Sequence, residues 1–317
     1  MPKSAFSRLQ STVIDGRLAN VFYRRQQLHS LHEKIIQNKT EILDAISNDS
    51  GHSAQEALAE LYSTLNTVKQ YHDSLNPEKE LEDEYRIAKG KDAPTAAEGV
   101  GIVYIQPTTH TLFNSVMVPL AAAIAAGNCA LLVVSLLYMV LRLRSRLMLV
   151  QIEQTLRKTS GIIQRLLQVA LDPDIIEIVR TKVQDAEFLS TSVQVVQSAD
   201  VNNLSVKVLQ SPLEALVVGI VDRTANIEEA AKSLVDARFT FSGNSSYAPD
   251  VVLVNEFVKR AFLNAVVRHS IKYLTAENGA SSQKQRDRRD EKNEDPRDGI
   301  NIVTSGSNGS ILDVEKR

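Results

Sequence analysis

Apolar residues recur at three- and four-residue steps early in the chain. Leu28, Leu31, Ile35, Ile42, Leu43 and Ile46 keep this spacing, with charges filling the opposite face. Ala57, Leu58, Leu61, Leu65 and Val68 continue it, so helix is predicted over residues 17–75, closed by Pro77. The polar run 78–97 predicts a surface connection with little packing of its own. At Gly99 the pattern changes to a short β-branched run, Gly99-Val100-Gly101-Ile102-Val103-Tyr104-Ile105, ahead of Pro107. Such a run between breakers suits a buried parallel strand. A helix over 115–126, a strand over 129–134 and helical sequence from 136 to about 169 follow. Asp172-Pro173-Asp174 makes a turn before a strand at 175–179. Alternating strands and crossover helices predict an α/β fold with a doubly wound parallel sheet. Residues 182–211 hold β-prone runs at 193–196 and 206–209 and no glycine. After Pro212 a second α/β unit is expected, with strands at 216–221 and 251–254 and helices at 226–239 and 256–273. Residues 281–298 carry twelve charges in eighteen positions, six of each sign, which predicts a solvated insertion. The turn-rich tail 300–317 is expected to end without a closing helix or strand.

The length of 317 residues suggests two domains or one large one. Hydrophobic residues at 43% and charged residues at 23% exclude wholesale disorder. The net charge of -2 gives no electrostatic reason for a nucleic-acid partner, and none is expected. A single cysteine, Cys129, excludes an internal disulfide framework and a multi-cysteine metal site. No metal is expected, and a reducing, cytoplasmic location fits best. Trp is absent, so the core must be aliphatic. The N-terminus shows no apolar stretch of signal-peptide length. Residues 116–141 are uncharged and long enough for a span of ~20 residues. Pro119 and Gly127-Asn128 interrupt them, so the reading is a buried helix, a turn and a buried strand rather than a membrane segment.

Several strings resemble the aldehyde dehydrogenase superfamily, especially its class-3-like branch. Arg25-Gln26-Gln27-Leu28 and Glu41-Ile42-Leu43-Asp44-Ala45-Ile46 look like that branch's opening helices. Val118-Pro119-Leu120-Ala121-Ala122-Ala123-Ile124-Ala125-Ala126-Gly127-Asn128-Cys129 is similar to the family's cofactor-domain helix and turn. Leu171-Asp172-Pro173-Asp174, Ala225-Asn226-Ile227-Glu228 and the run from Ala248-Pro249-Asp250 to Val254 add to the likeness, which covers most of residues 17–280. The resemblance implies an N-terminal helical region (1–98), a Rossmann-like cofactor domain (99–211) and a partial catalytic domain (212–280). A disordered charged insertion (281–299) and a truncated tail (300–317) complete the expected order. Family members are considerably longer, so the chain is expected to stop partway through the catalytic domain.

The resemblance implies NAD(P)-dependent oxidation of an aldehyde to a carboxylic acid. That chemistry uses a thiolate, oxyanion donors, a water-activating carboxylate and a cleft for the nicotinamide nucleotide. In Gly243-Asn244-Ser245-Ser246-Tyr247-Ala248-Pro249-Asp250, Ser246 stands where the family keeps its nucleophilic cysteine. In Gln106-Pro107-Thr108-Thr109, Thr109 replaces the oxyanion asparagine. Val133, before Val134-Ser135, replaces the lysine that contacts the cofactor ribose. The general-base position falls on Pro212, with Glu214 two residues away as the carboxylate a small shift could recruit. The family's glycine turn for the pyrophosphate has no counterpart in 182–211. Candidate catalytic residues are therefore Ser246, Thr109 and Glu214; candidate cofactor-binding residues are Gln106, Pro107, Val133 and Ser135.

Taken together, these substitutions predict a family member whose oxidoreductase activity is reduced or lost. The implied cofactor is NAD or NADP, with weak or absent binding expected. The implied substrate is a small aldehyde or related carbonyl compound, and a homo- or hetero-oligomer fits the family. Two other readings stand beside this one. One is a non-redox enzyme reusing the aldehyde cleft around Ser246, Thr109 and Tyr247. The other is a binding or regulatory subunit of a full-length paralogue. Arg142, Arg144, Arg146, Arg157 and Lys158 read as a solvated surface, because alternate spacing spreads them over different helix faces.

Overall fold

A computed structural model describes residues 3–94, 96–108, 110–133, 157–179, 183, 185–197, 207–211, 216–243, 245, 248–284, 301–305 and 309–313. The chain divides into two units, Met1–Leu213 and Glu214–Arg317.

In the first unit, α1 (Lys3–Asp15), α2 (Val21–Gln37), α3 (Lys39–Ser50), α4 (Ala54–Ser74) and α5 (Pro77–Ala88) precede the sheet. Local chemistry sets their starts. Asn20 Oδ1 accepts the Phe22 N–H at 2.9 Å and the Tyr23 N–H at 3.3 Å. Ser53 and Glu56 form a reciprocal capping box at α4. Asn76 caps α5, with Pro77 in its first turn. The stretch expected as a plain connection is thus partly helical. None of the α5 residues is buried, so its signal lay in the cap and the first-turn Glu78 and Glu80 rather than in an apolar stripe. The helix α1 also lay outside the predicted elements; of its apolar residues Leu9 is fully buried, while Ile14 is 85% exposed.

Strands β1 (Ile102–Gln106), β2 (Cys129–Val133), β3 (Ile176–Val179), β4 (Val193–Gln197) and β5 (Val208–Ser211) form one sheet in the order β3-β2-β1-β4-β5. Every pairing is parallel, with Ile102 opposite Cys129, Ala130 opposite Ile176, Val103 opposite Val193 and Gln194 opposite Val208. Helices α6 (Leu112–Ala125), α7 (Arg157–Ala170) and α8 (Ala186–Thr191) return the chain between strands. Of the uncharged run read as helix, turn and strand, residues 116–133 are α6, the Gly127 turn and β2, and 134–141 lie outside the described residues. Among the described residues no helix is long and apolar enough to cross a membrane. The turn is tight: a Cβ on Gly99 would lie 2.3 Å from the Gly127 carbonyl oxygen. Asn128 locks it, accepting the Gly101 N–H at 3.0 Å and donating to the Ala126 carbonyl at 3.3 Å. Pro119 lies inside α6 and cannot give the Ser115 carbonyl its helical partner. The Gln197 amide, at the end of β4, supplies that donor at 2.9 Å. One largely aliphatic core joins the N-terminal helices to the sheet, including Leu28, Leu31, Ile35, Leu120 and Leu132, with Phe113 among them.

In the second unit, parallel strands β6 (Val218–Val221) and β7 (Val251–Val254) alternate with helices α9 (Ile227–Phe239) and α10 (Lys259–Lys284). Val221, Ala231, Val235, Val252, Phe262 and Ala265 are its core. The tail departs from expectation. Strands β8 (Asn301–Ser305) and β9 (Gly309–Asp313) form an antiparallel hairpin, and β9 pairs with β7. Ile302-Val303 and Ile311-Leu312 flank a Ser/Gly/Asn turn, which is a hairpin signal hidden by the short, polar-bounded runs. The start of the insertion is likewise helical, because α10 extends to Lys284; residues 285–300 lie outside the described residues.

Candidate functional site

In a doubly wound sheet, ligands bind beyond the carboxyl ends of the strands, where the strand order reverses. Here that reversal falls between β1 and β4, whose last residues are Gln106 and Gln197. Gln106 and Pro107 are half-buried at the exit of β1. Val133 ends β2 with a fully apolar side chain only 1% exposed. Two of the cofactor-binding candidates thus lie at the reversal, while Val133 faces into the core. Thr109, Ser135, Glu214, Ser246 and Tyr247 lie outside the described residues, as do Arg142, Arg144 and Arg146. Arg157 and Lys158 are exposed on the first turn of α7.

Helices that follow strands point their N-termini at this same edge, and free N–H groups there attract anions. Among the described residues, carboxylates accept first-turn N–H groups of three helices. Glu60 of α4, 3% exposed, accepts the Asn114 N–H of α6 at 3.1 Å, and the Phe113 N–H also bonds to it. Asp49 of α3 accepts the Thr159 N–H of α7 at 2.7 Å. Asp185 caps α8, accepting from Glu187 and Phe188.

The first of these caps borders a small void of about 10 Å³, room for about one water, lined in part by Asp49, Glu60, His110 and Thr159. Burial governs the titrations around it. Desolvation pushes the Glu60 carboxyl up to about 7, its two backbone hydrogen bonds offsetting only part of the effect. Desolvation lowers His110 to about 4, with a smaller contribution from His52, and burial lowers His52 too. Neutral His110 shares hydrogen bonds with Thr108 Oγ1 at 2.9 Å and Thr111 Oγ1 at 3.4 Å, which fixes the loop beyond β1. These residues were absent from the sequence-based candidates. The available signal was Glu60, a carboxylate on the same helical face as Ala57, Leu61, Thr64 and Val68.

Cys129 sits at the opposite end of the sheet, as the first residue of β2. It is 0% exposed, and burial, helped by Asp172, pushes its thiol up to about 11.

In the second unit, the loop that carries position 246 is held on both sides. Thr240–Gly243 forms a 3-10 turn, with Phe241 at φ 53 and Gly243 at φ 69. After it, the Ala248 N–H reaches the Ser245 carbonyl at 3.0 Å. Asp250, 7% exposed, accepts the Val217 N–H at 3.0 Å and faces buried Arg238 at 3.6 Å. His269 on α10 pairs with Glu228 Oε1 at 3.2 Å, a role at the surface of the helix pair. Among the described residues no group of three or more His, Cys, Asp or Glu side chains is arranged to hold a metal ion.

Residues 15–149 match the aldehyde dehydrogenase family. Over this stretch the chain is similar to the aldehyde dehydrogenase superfamily. It is 28% identical over 270 residues to 4,4'-diaponeurosporen-aldehyde dehydrogenase of Staphylococcus aureus, covering 78% of this chain and 53% of that protein. Aldehyde dehydrogenase family 3 member A2 of Mus musculus is 23% identical over 292 residues, covering 86% of this chain and 55% of its own. The chain therefore spans about half the length of the curated relatives it matches. The fold is similar to that of Staphylococcus aureus AldH in its substrate-bound state, with a TM-score of 0.62 at 23% identity over 84% of this chain and 58% of that one. A lactaldehyde dehydrogenase structure gives 0.60 at 15% identity, covering 83% of this chain and 54% of that one.

Nicotinamide nucleotides are the cofactor that the resemblance implies, and one described position departs from what it would need. Where the resemblance places a ribose-binding lysine, Val133 offers neither charge nor donor and is packed into the core.

Proposed function

We propose that this chain keeps the aldehyde dehydrogenase scaffold while its aldehyde oxidation is impaired. Its substrate class by kinship is a small aldehyde or related carbonyl compound, and NAD or NADP is the family's hydride acceptor.

The observation that carries this reading is the place of the one thiol. A thiolate is needed to add to the aldehyde carbon and hold it as a hemithioacetal from which hydride can leave. Cys129 is fully buried at the amino end of β2, and its thiol is pushed up to about 11. At neutral pH it is neither ionised nor reachable. The residue aligned with the family nucleophile is Ser246, whose hydroxyl needs a base to become comparably reactive. His269, the nearest histidine in sequence, is engaged with Glu228. Thr109 in place of the oxyanion asparagine weakens the same step, because a hydroxyl donates one hydrogen bond with a different reach.

Production of NADH or NADPH, followed by absorbance with a panel of aliphatic and aromatic aldehydes, tests this. Background rates are expected for the wild type and for Ser246→Cys, since residues that act as one catalytic unit are strongly non-additive. Ser246→Cys is expected to gain only slow hydrolysis of a nitrophenyl ester, which needs a nucleophile but no cofactor. Wild-type turnover near ~1 per second, within the ordinary enzyme range, would overturn the proposal.

A further inference from the structure

We propose that a cavity at the amino ends of β1 and β2 binds an acylated aliphatic amine, with an ammonium at one end and a neutral carbonyl acceptor at the other. This goes beyond aldehyde oxidation and is tested without turnover.

The cavity measures about 660 Å³, an ordinary size for a small-molecule site. Residues of α5, of the segment leading into β1 and of the Gly127 turn line it. Buried Leu18 and Leu75, with Val13 and Val100, give it an apolar wall.

The helix α5 meets this cavity in the reverse of the usual sense. An amphipathic helix normally turns its apolar stripe toward the protein. Here Leu81 and Tyr85 are 48% and 60% exposed, while Glu80 and Asp83 are half-buried. Asn76, Glu80, Asp83, Glu84 and Ile87, spaced by three and four residues, form the stripe that lines the cavity. That stripe is placed for a charged occupant rather than for packing.

Charge sets the sign of the occupant. Arg24 and Lys79 line the cavity with Glu80, Asp83, Glu84 and Glu98, a formal excess of two negative charges. Among the described residues no three carboxylates are arranged to hold a metal ion, so the excess suits an organic cation. Glu84 and Glu98 are exposed and open to it.

The buried part of the wall calls for a different group. Arg24 is 8% exposed; its Nη1 donates to the Ala125 carbonyl at 2.6 Å and its Nη2 to Glu80. Its Nε is buried and has no hydrogen-bond partner among the described residues. A buried donor left unpaired is costly, and a ligand carbonyl oxygen would relieve it. Glu80 already balances the guanidinium, so a neutral acceptor suits this place better than a second carboxylate. Glu84 follows Glu80 by one helical turn, about 6 Å along α5, which an acylated diamine with about three or four methylenes spans. The apolar wall takes those methylenes.

Calorimetric titration of the full chain at fixed ionic strength tests this with N-acetylputrescine, putrescine and N-butylacetamide as separate probes. Saturable binding of N-acetylputrescine tighter than ~1 mM is expected. Putrescine, which brings a second ammonium to Arg24, should bind more weakly. N-butylacetamide, which carries no cation, should give no saturable heat. Glu84→Gln combined with Glu98→Gln is expected to weaken N-acetylputrescine roughly tenfold. Glu33→Gln removes an exposed carboxylate of α2 outside the cavity and should leave the affinity unchanged, which separates a site from diffuse attraction. All three substitutions fall at exposed positions, and circular dichroism checks that the variants fold; the comparison of probes on the wild type stands without them. Absence of saturable N-acetylputrescine binding overturns the proposal. Equal binding of either simpler probe, unchanged affinity in the double variant, or equal weakening by Glu33→Gln overturns it too.

Discussion

Glu60→Gln separates the cost of burying a charge from the benefit of capping a helix. The Glu60 carboxyl titrates at about 7 rather than at its ordinary 4.5, because α4 carries it into the core beneath α6. At about 1.4 kcal/mol per pH unit, its ionisation costs the folded chain about 3 kcal/mol once the pH is well above 7. The sign follows from proton counting. Between 4.5 and about 7 the folded chain holds a proton that the unfolded chain has released, so stability falls as pH rises through this window. His110 works in the opposite sense: lowered from 6.5 to about 4, it makes stability rise with pH between those values, and His52 adds in the same direction. In the wild type the Glu60 and His110 contributions largely cancel between pH 4.5 and 6.5. Glutamine keeps an oxygen to accept the Asn114 N–H but cannot ionise, so the variant exposes the histidine contribution alone. Urea unfolding followed by circular dichroism should show Glu60→Gln gaining about 3 kcal/mol between pH 4 and 6.5. At pH 8 it should exceed the wild type by about 2 kcal/mol, after allowing about 1 kcal/mol for the amide's imperfect pairing. A variant less stable than the wild type at pH 8 would refute the reasoning. It would mean that the charge–helix attraction outweighs desolvation at this site.

Gly99→Ala tests the turn beneath β1 and β2. Its Cβ would lie 2.3 Å from the Gly127 carbonyl oxygen and 2.9 Å from the Gly127 carbonyl carbon, both backbone atoms. A loss of about 2–4 kcal/mol in unfolding free energy is expected, and a neutral result would contradict the close approach. Alkylation of Cys129 by iodoacetamide, read by mass spectrometry, should be slow in the native chain at pH 8 and fast in denaturant, because the thiol is buried and raised to about 11. Rapid native labelling would return Cys129 to the list of usable nucleophiles.

Strands β1 and β2 were legible because they are buried on both sides. Runs such as Ile102-Val103-Tyr104-Ile105 and Cys129-Ala130-Leu131-Leu132 leave no polar face to confuse the period. The helix α6 was legible for the same reason, and Pro119 did not break it because Gln197 satisfies the carbonyl the proline leaves free. Such a remedy joins residues 82 positions apart and leaves no local trace. The helix α5 was obscure because its stability comes from capping and first-turn charge rather than from a buried stripe. In the tail hairpin, strand-forming residues come in short runs whose pairing with β7 is a long-range matter. At the functional edge the sequence showed what was missing, Val133 for a lysine and 182–211 without glycine. It did not show which carboxylates cap the helices around the sheet. That Glu60, Asp49 and Asp185 each end at a helix N-terminus depends on how α3 and α4 pack against α6 and α7, and only the Asp185 cap is local.

The most direct measurement is a titration of NADH into the intact chain, followed by the coenzyme's own fluorescence and anisotropy. The chain contains no Trp, so little protein emission competes. With buried Val133 where the resemblance places the ribose-binding lysine, fluorescence and anisotropy should stay at the values of free NADH up to protein concentrations of ~100 μM. A saturable rise in both, displaced by excess NAD, would show that a dinucleotide binds after all and would contradict the loss of the cofactor site.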